Sequence, residues 1–361
     1  MQLGIVGLPF SGKSTLFQAI TRTHLDPAAS GRSDAHVGVV KVPDSRLDRC
    51  AAIFSPKSTV HATIEFVDVA GLKKGASGTA QFTTGFLAAV KNNDALIQVV
   101  RLFENSAVPH PDGSIDPLRD IAAFETEFIL SDMAVLESRL ERIRKQLGRP
   151  HDEPLKQELP VLEKCLALLE AEKPLRDEDL SAEELHVLKT YQLLSVKPML
   201  IALSLGESQQ TIMEREVARV AEAKAGLRTR VVAFFGKIDM EMSELSTEEA
   251  REFMGEYGIR ESALDTLIRE SYALLGLQSF LTVGEDECRA WTIRQGMTAQ
   301  EAAGVIHSDF VKTFIRAEVV HYDDFIAADG SFAKAKEAGR WRLEGKAYVV
   351  KDGDILNIRH G

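Results

Sequence analysis

The chain has 361 residues, of which 45% are apolar and 27% charged, and its formal net charge is −11. These values are ordinary for a globular protein and exclude a wholly disordered, collagen-like or membrane-embedded chain. The negative charge argues against electrostatic capture of nucleic acid by the whole molecule. The sequence has no run of about 18 apolar residues and no basic flank of a secretory signal. We therefore expect a cytoplasmic protein that contacts neither membranes nor DNA.

The N-terminal region alternates strand-like and helix-like segments. Residues 3–6 are an apolar run that enters a Gly-rich turn, and residues 12–22 place apolar side chains on one helical face. Further apolar runs of strand length are residues 36–42, 64–69, 95–100, 199–203 and 231–235. Such runs, separated by helices, predict a parallel sheet covered on both faces. They assign residues 1–117 and 195–277 to one α/β domain.

Residues 118–194 interrupt this domain with a helical pattern. Apolar residues recur at alternating spacings of 4 and 3 from Ile129 to Leu147, and again from Leu155 to Leu169. Two such heptad seams, joined by a Gly/Pro turn at 148–150, predict an inserted antiparallel coiled-coil hairpin. Pro160 predicts a kink or a late start in its second helix. A capping-box sequence at Ser181 predicts a third helix over 181–194.

The C-terminal residues 278–361 form a separate pattern. Helical residues 246–277 end at Gly276, and mixed short elements follow. The predicted elements are strands at 280–283, 289–293, 314–321 and 340–350, a helix at 299–306 and a turn at 352–354. Short strands around one helix predict a small α+β module.

A phosphate-binding loop follows the first predicted strand. The sequence G-L-P-F-S-G-K-S matches G-x-x-x-x-G-K-[ST] in full, between a strand and an amphipathic helix. The two glycines permit backbone conformations that let successive N–H groups cradle phosphates. Lys13 places a charge against the β- and γ-phosphates, and the Ser14 hydroxyl is the expected Mg²⁺ ligand. The predicted phosphate-binding residues are Gly7, Phe10, Ser11, Gly12, Lys13, Ser14 and Thr15.

A second phosphate-site motif ends the strand at 64–69. Asp68-Val-Ala-Gly71 fits D-x-x-G, in which Asp68 can hold Mg²⁺ through water and Gly71 can donate its N–H to a γ-phosphate. Many GTPases carry a water-orienting Gln at the next position, but this chain has Leu72. A leucine cannot hydrogen-bond to the attacking water, so another group orients it or hydrolysis is slow.

The base-recognition motif of guanine-specific proteins is missing. No N-K-x-D sequence occurs, and the corresponding strand runs into Ser204-Leu-Gly-Glu207. The loop after the next strand contains Gly236 and Lys237. Without the Asp that pairs with the guanine edge, ATP becomes a serious candidate, while GTP stays an alternative.

The chain resembles the YchF/Obg-like ATPases of the translation-factor class of P-loop GTPases. The resemblance runs from GIVGLPFSGKSTLF through VGVVKVPDSRL and ATIEFVDVAGLKKGAS to VVRLFEN. It continues in RAWTIRQGMTAQEAAGVIHSDF and in AGRWRLEGKAYVVKDGDILNIR. It implies an α/β P-loop G domain, an inserted coiled-coil arm and a C-terminal β-grasp (TGS) domain over 278–361. It also implies hydrolysis of ATP in preference to GTP and association with ribosomes and their RNA.

The resemblance also implies roles for single residues. The family's Leu after D-x-x-G is present as Leu72, and its Asn-x-x-Glu base motif corresponds to Ser204 and Glu207. We therefore expect Ser204, Leu205, Glu207, Gly236 and Lys237 to border the base. A family histidine suspected of positioning the attacking water corresponds to His110. His110 and Lys13 are the predicted catalytic residues. The alternative for His110 is that it is a solvent-exposed loop histidine between two prolines.

Two departures from the family predict a divergent branch. The family's P-loop Asn, which can help to bind a monovalent cation in related GTPases, is Phe10. The usual Mg²⁺-contacting switch Thr falls on Arg32, with Ser30 and Ser33 as possible substitutes. We expect a monomer with slow turnover. The alternatives are a nucleotide-binding adaptor of the translation machinery that has lost turnover and a GTP-specific GTPase.

A basic cluster closes the first predicted arm helix. Its members are Arg139, Arg142, Arg144, Lys145 and Arg149. The cluster suits a contact with ribosomal RNA, but a basic helix C-terminus is equally favoured by the helix dipole.

Overall fold

The structure is a computed structural model that describes residues 1–23, 36–69, 73–74, 80–148, 152–256 and 261–361. Its strands are β1 (Gln2–Gly7), β2 (His36–Lys41), β3 (Ser58–Val60), β4 (Thr63–Asp68), β5 (Lys73–Lys74), β6 (Ala80–Gln81), β7 (Ala95–Arg101), β8 (Met199–Leu205), β9 (Thr229–Phe235), β10 (Leu277–Thr282), β11 (Glu287–Arg294), β12 (Phe314–His321), β13 (Arg342–Glu344) and β14 (Asp354–His360). Its helices are α1 (Lys13–Thr21), α2 (Ser45–Phe54), α3 (Thr84–Lys91), α4 (Pro117–Gln146), α5 (Glu153–Glu170), α6 (Ala182–Leu188), α7 (Met213–Lys224), α8 (Gly236–Glu244), α9 (Thr247–Glu256), α10 (Ala263–Leu274), α11 (Ala299–Ile306), α12 (Phe310–Thr313), α13 (Tyr322–Ala327) and α14 (Phe332–Glu337). The chain divides into two units, residues 1–38 with 65–270 and residues 39–64 with 271–361.

A sheet in the order β2-β4-β1-β7-β8-β9 forms the centre of the first unit. β1 pairs in parallel with β4 and β7, and the parallel ladder continues through β8 to β9. Every residue of β7 and β8 is buried, as expected for parallel strands with helices on both faces. The sheet packs on the start of α4 through Phe124 and Phe128. The α/β P-loop domain predicted from the sequence is confirmed.

The predicted helical insertion is also confirmed. α4 begins after Asp116, whose side chain caps the helix, and α4 and α5 bury the heptad residues between them, among them Ile129, Leu136, Leu162 and Leu169. α5 runs through Pro160 without ending there, because its apolar seam is held along its length by α4. The third helix is shorter than predicted. α6 opens with the Ser181–Glu184 capping box and passes into a 3₁₀ turn at Lys189–Tyr191.

The second unit holds a mixed sheet in the order β13-β12-β14-β10-β11-β3. α11 packs on it through Ala299, Ala302 and Ala303, in the arrangement predicted as a β-grasp module. Residues 39–64, which the sequence prediction placed in the G domain, belong to this unit. β3 pairs in parallel with β11, and Arg46 of α2 bonds to Asp352 at 2.7 Å.

Two further elements differ from their predictions. The strand predicted over 340–350 is confined to β13, because the chain turns at Gly345, whose C=O accepts from the Tyr348 N–H. Residues 235–237 were predicted as a loop, but Phe235 is the last residue of β9 and α8 begins directly after it, at Gly236. Among the described helices, none combines the length and apolar composition required to cross a bilayer.

Candidate functional site

The loop between β1 and α1 has the backbone geometry that its glycines allow. Gly12 has φ 101°, a left-handed conformation, and a Cβ there would lie 2.9 Å from the Ser204 Oγ. A Cβ on Gly7 would lie 2.5 Å from the Val99 carbonyl oxygen. Both positions therefore require glycine. Phe10, at the exposed tip of the loop, also has a positive φ of 63°, which is costly for a residue with a side chain.

The start of α1 presents unpaired donors. Gly12 caps the helix without a side-chain hydrogen bond, so the first amides are available to an anion. Ser14 is exposed and Thr15 half-buried. Ser11 is buried, and its Oγ has no hydrogen-bond partner among the described residues. A buried hydroxyl without a partner is the feature expected where a ligand or water completes the site.

Lys13 is held inside the loop. Its Nζ donates to the carbonyl oxygens of Gly7 and Leu8, each at 2.9 Å. Burial lowers the pKa of Lys13 to about 8, and the nearby charge of Asp68 partly opposes this shift. The ammonium group is therefore desolvated and poorly neutralised, a state that a phosphate would relieve.

Asp68 ends β4 beside the P-loop strand and pairs in register with Ile5. Burial raises the pKa of the Asp68 carboxyl, while the charges of Lys13 and His36 oppose the shift. Gly71 and Leu72, like Arg32 and its neighbours Ser30 and Ser33, lie outside the described residues.

A cavity of about 560 Å³ adjoins the P-loop at the carboxyl ends of β8 and β9. The cavity is lined by every residue predicted to border the base, namely Ser204, Leu205, Glu207, Gly236 and Lys237. Gly12 and Thr15, at the start of α1, line it as well. Lys237 and Glu207 form an ion pair of 3.3 Å in which both side chains are more than half exposed. Such a pair is weak enough to be opened by a ligand.

Sequence reasoning missed several further residues that line this cavity, among them Gln18, Phe103 and Met240. The Arg101 guanidinium packs over the Phe103 ring, 4.5 Å from its centroid. No sequence motif includes these positions. The one signal in the sequence is that Phe103 comes two residues after the end of β7.

His110 lies in the wall beneath the P-loop and is not a solvent-exposed loop residue. Its side chain is 5% exposed, and its Nε2 is 3.0 Å from Asp120 Oδ2 in the first turn of α4. Arg119 also donates two hydrogen bonds to the Asp120 carboxylate. Burial raises the pKa of the Asp120 carboxyl, and Arg119 and His110 oppose that shift. His110 and Ser11 line the same narrow space.

The whole chain has relatives of known family. Residues 2–135 match the MMR_HSR1 family, described as 50S ribosome-binding GTPase, and residues 277–361 match YchF-GTPase_C, described as a protein of unknown function (DUF933). The chain is 43% identical to the ribosome-binding ATPase YchF of Bacillus subtilis over 99% of this chain and 98% of that protein. It belongs to the YchF family.

Two more distant YchF relatives agree with this assignment. Obg-like ATPase 1 of Rattus norvegicus is 36% identical over 99% of this chain and 91% of its own length. The solved structure of the Schizosaccharomyces pombe YchF GTPase superposes with a TM-score of 0.86 at 33% identity, over 99% of this chain and 97% of that one. Membership of the YchF family makes the chain a P-loop nucleotide hydrolase by class.

The low pKa of Lys13 predicts proton uptake when ATP binds. With a pKa of about 8, part of the Lys13 population is neutral at pH 8.5, and a bound phosphate restores its charge. ATP binding at pH 8.5 should therefore take up a fraction of a proton. Titration calorimetry in buffers of different ionisation enthalpy measures this number. Lys13→Arg, which stays charged, should bind without uptake. A parental protein that takes up no proton contradicts the interpretation.

Proposed function

We propose that the chain binds ATP with Mg²⁺, hydrolyses it slowly, and acts in association with ribosomes in the cytoplasm. The observation that carries the proposal is the phosphate cradle. Two glycines at which a Cβ would clash surround a desolvated Lys13, beside a base-sized cavity and the buried Ser11 hydroxyl, which has no partner among the described residues. An anion with several phosphate oxygens satisfies all of these groups together.

The proposed roles follow the sequence motifs. We assign the phosphates to Gly7, Phe10, Ser11, Gly12, Lys13, Ser14, Thr15 and Gly71, and the border of the base to Ser204, Leu205, Glu207, Gly236 and Lys237. Lys13 neutralises the β- and γ-phosphates, and His110 orients the attacking water. Since Leu72 cannot assist that water, turnover is slow.

The residues present fit a magnesium ion. Mg²⁺ prefers oxygen ligands and keeps several waters, so one hydroxyl and one carboxylate beside the phosphates suffice. Ser14 offers an exposed hydroxyl at the start of α1, and Asp68 offers a half-buried carboxylate beside Lys13. When bound, the ion neutralises charge on the β- and γ-phosphates.

ATP is expected to bind at least as tightly as GTP. A hundredfold guanine preference, about 2.7 kcal/mol, requires paired polar contacts to the base edge. The cavity offers Ser204 and the exposed Glu207–Lys237 pair, but no N-K-x-D aspartate. Competition of GTP against a fluorescent ATP analogue measures the ratio, with CTP as the control base. A hundredfold preference for GTP contradicts this assignment and favours the GTPase alternative.

Ribosome association is supported by the Bacillus subtilis relative, which is named a ribosome-binding ATPase. We propose three functional domains: a G domain of residues 1–117 and 195–277, an arm of residues 118–194, and a TGS domain of residues 278–361. The basic end of the arm is partly neutralised, since Arg139 pairs with Glu158 and Arg144 with Glu163. Contact with ribosomal RNA there would have to open these pairs.

One experiment tests the proposal as a whole. Affinities for ATP and GTP are measured with Mg²⁺, followed by single-turnover hydrolysis with and without ribosomes. Tight ATP binding with slow hydrolysis supports the proposal. Binding without hydrolysis under both conditions would identify a nucleotide-binding adaptor, and absence of binding would overturn both functions.

A further inference from the structure

Both ring nitrogens of His110 have partners, and the partners define which nitrogen carries the proton. The exposed backbone N–H of Asp112 donates to Nδ1 at 3.2 Å, so Nδ1 is an acceptor without a proton. The proton therefore sits on Nε2, which donates to Asp120 Oδ2 at 3.0 Å. The ring is held as the Nε2–H tautomer.

Asp120 is itself fixed from several sides. Arg119 donates to its Oδ1 from Nε at 3.0 Å and from a terminal nitrogen at 2.8 Å. The Gln98 amide, on β7, donates to the Asp120 backbone carbonyl at 3.2 Å. The carboxylate is 4% exposed and therefore depends on these donors. Asp120 is thus a rigid acceptor, anchored to both the sheet and the start of the arm.

The two contacts of the imidazole differ in how easily they are lost. Breaking the bond to Asp120 would leave a buried carboxylate oxygen without its donor, which is costly. Breaking the bond from Asp112 costs little, because that residue is exposed and water can solvate its amide. Nδ1 is therefore the nitrogen that can exchange its partner for a water molecule.

We propose that Asp120 is a positioning residue for hydrolysis, which holds His110 as the Nε2–H tautomer so that Nδ1 accepts a hydrogen bond from the attacking water. The proposal rests on the function assigned to His110 above. In the reaction the water oxygen forms the bond to the γ-phosphorus as the bond to the β–γ bridging oxygen breaks, and ADP takes the electron pair. One water proton stays on the phosphate product and the other passes to solvent.

His110 lies among buried polar atoms that lack partners. Three atoms that line the same narrow space have no hydrogen-bond partner among the described residues, namely Ser11 Oγ, Gln98 Oε1 and an Arg101 terminal nitrogen. The space is too narrow for a water molecule, so the water would reach Nδ1 from the exposed side, where the Asp112 amide lies. Ser11 belongs to the phosphate loop, so His110 and that loop share one wall.

Asp120→Asn is the decisive variant because its tautomeric effect is defined. Arg119 requires an acceptor, so the Asn oxygen stays at the Oδ1 position and its NH₂ group faces His110. That NH₂ donates to Nε2, and the proton moves to Nδ1. Nδ1 then becomes a donor that cannot accept from water, although the side-chain shape is unchanged.

The experiment compares single-turnover ATP hydrolysis of the parent, Asp120→Asn, His110→Ala and the double variant, with ATP affinity measured for each. We expect Asp120→Asn to lower the rate about 10-fold, with affinity within twofold of the parent and no further loss in the double variant. Asp112→Asn, which removes a neighbouring charge but keeps the backbone N–H, is the matched control and should hydrolyse ATP at the parental rate.

Nitrogen chemical shifts of ¹⁵N-histidine-labelled protein supply a readout that a structural role would not change. The parent should show a protonated Nε2 at His110, and Asp120→Asn a protonated Nδ1, with His110→Ala assigning the signal. A parental His110 protonated on Nδ1 overturns the inference even if Asp120→Asn fails to fold. A parental rate for Asp120→Asn beside a slow His110→Ala also overturns it. A parental rate for His110→Ala would instead remove the proposed role of His110 itself.

Discussion

Replacing Lys13 by alanine is expected to weaken ATP binding by about 10- to 150-fold, the loss of about 1.5–3 kcal/mol that a charge-assisted contact contributes. Lys13 is buried in the P-loop, where solvent screening is low, and its ammonium group donates to two carbonyl oxygens. Within the part of the chain that the structure describes, no carboxylate lies within hydrogen-bond distance of it, so a phosphate would supply that charge. Titration calorimetry with ATP and Mg²⁺ measures the change.

The matched control for this variant is Lys156→Ala on α5. Lys156 is about half exposed and pairs with residues of its own helix, so its loss should leave ATP affinity unchanged. Thermal unfolding must show that Lys13→Ala stays folded, because its side chain also bridges the Gly7 and Leu8 carbonyls. An unchanged affinity in a folded Lys13→Ala protein would refute the phosphate assignment.

The nucleotide loop was predictable because its determinants are local. The strand, the turn and the helix that form it are consecutive in the sequence, and the left-handed φ of Gly12 needs no distant partner. The core strands were predictable for a related reason. A strand buried on both faces, such as β8, reads as a continuous apolar run.

The place of residues 39–64 was not predictable from local pattern. β3 is three residues long, and Ser58 pairs with Glu287 across 229 positions of sequence. Neither strand of such a pair indicates its partner. Similarly, β13 ends at Glu344 because the chain turns there, with a hydrogen bond from the Tyr348 N–H to the Gly345 carbonyl oxygen. The residues that follow are apolar enough to be predicted as a strand, so the sequence does not show where β13 ends.

His110 is the site residue for which sequence and structure differ most. A histidine between two prolines has the local composition of an exposed loop, yet its imidazole is almost fully buried. Its burial depends on Asp120, ten residues further along and in another element, α4. A contact between a loop and the start of a helix leaves no periodic signal in the sequence, so it is visible only in the three-dimensional structure.

His110→Ala is expected to slow single-turnover ATP hydrolysis by about 10-fold or more and to leave ATP affinity nearly unchanged, the pattern of a group that acts mainly in the transition state. The imidazole is suited to this role because the partner of Nδ1 among the described residues is the exposed Asp112 amide, which a water can replace. Parental turnover should already lie well below the ~1–10³ s⁻¹ common for enzymes, because Leu72 gives the water no support. His186→Ala, an exposed histidine of α6, is the matched control and should hydrolyse ATP at the parental rate. A loss of affinity that accounts for the slower rate of His110→Ala would instead make His110 part of the wall that supports the P-loop, since the two share one narrow space.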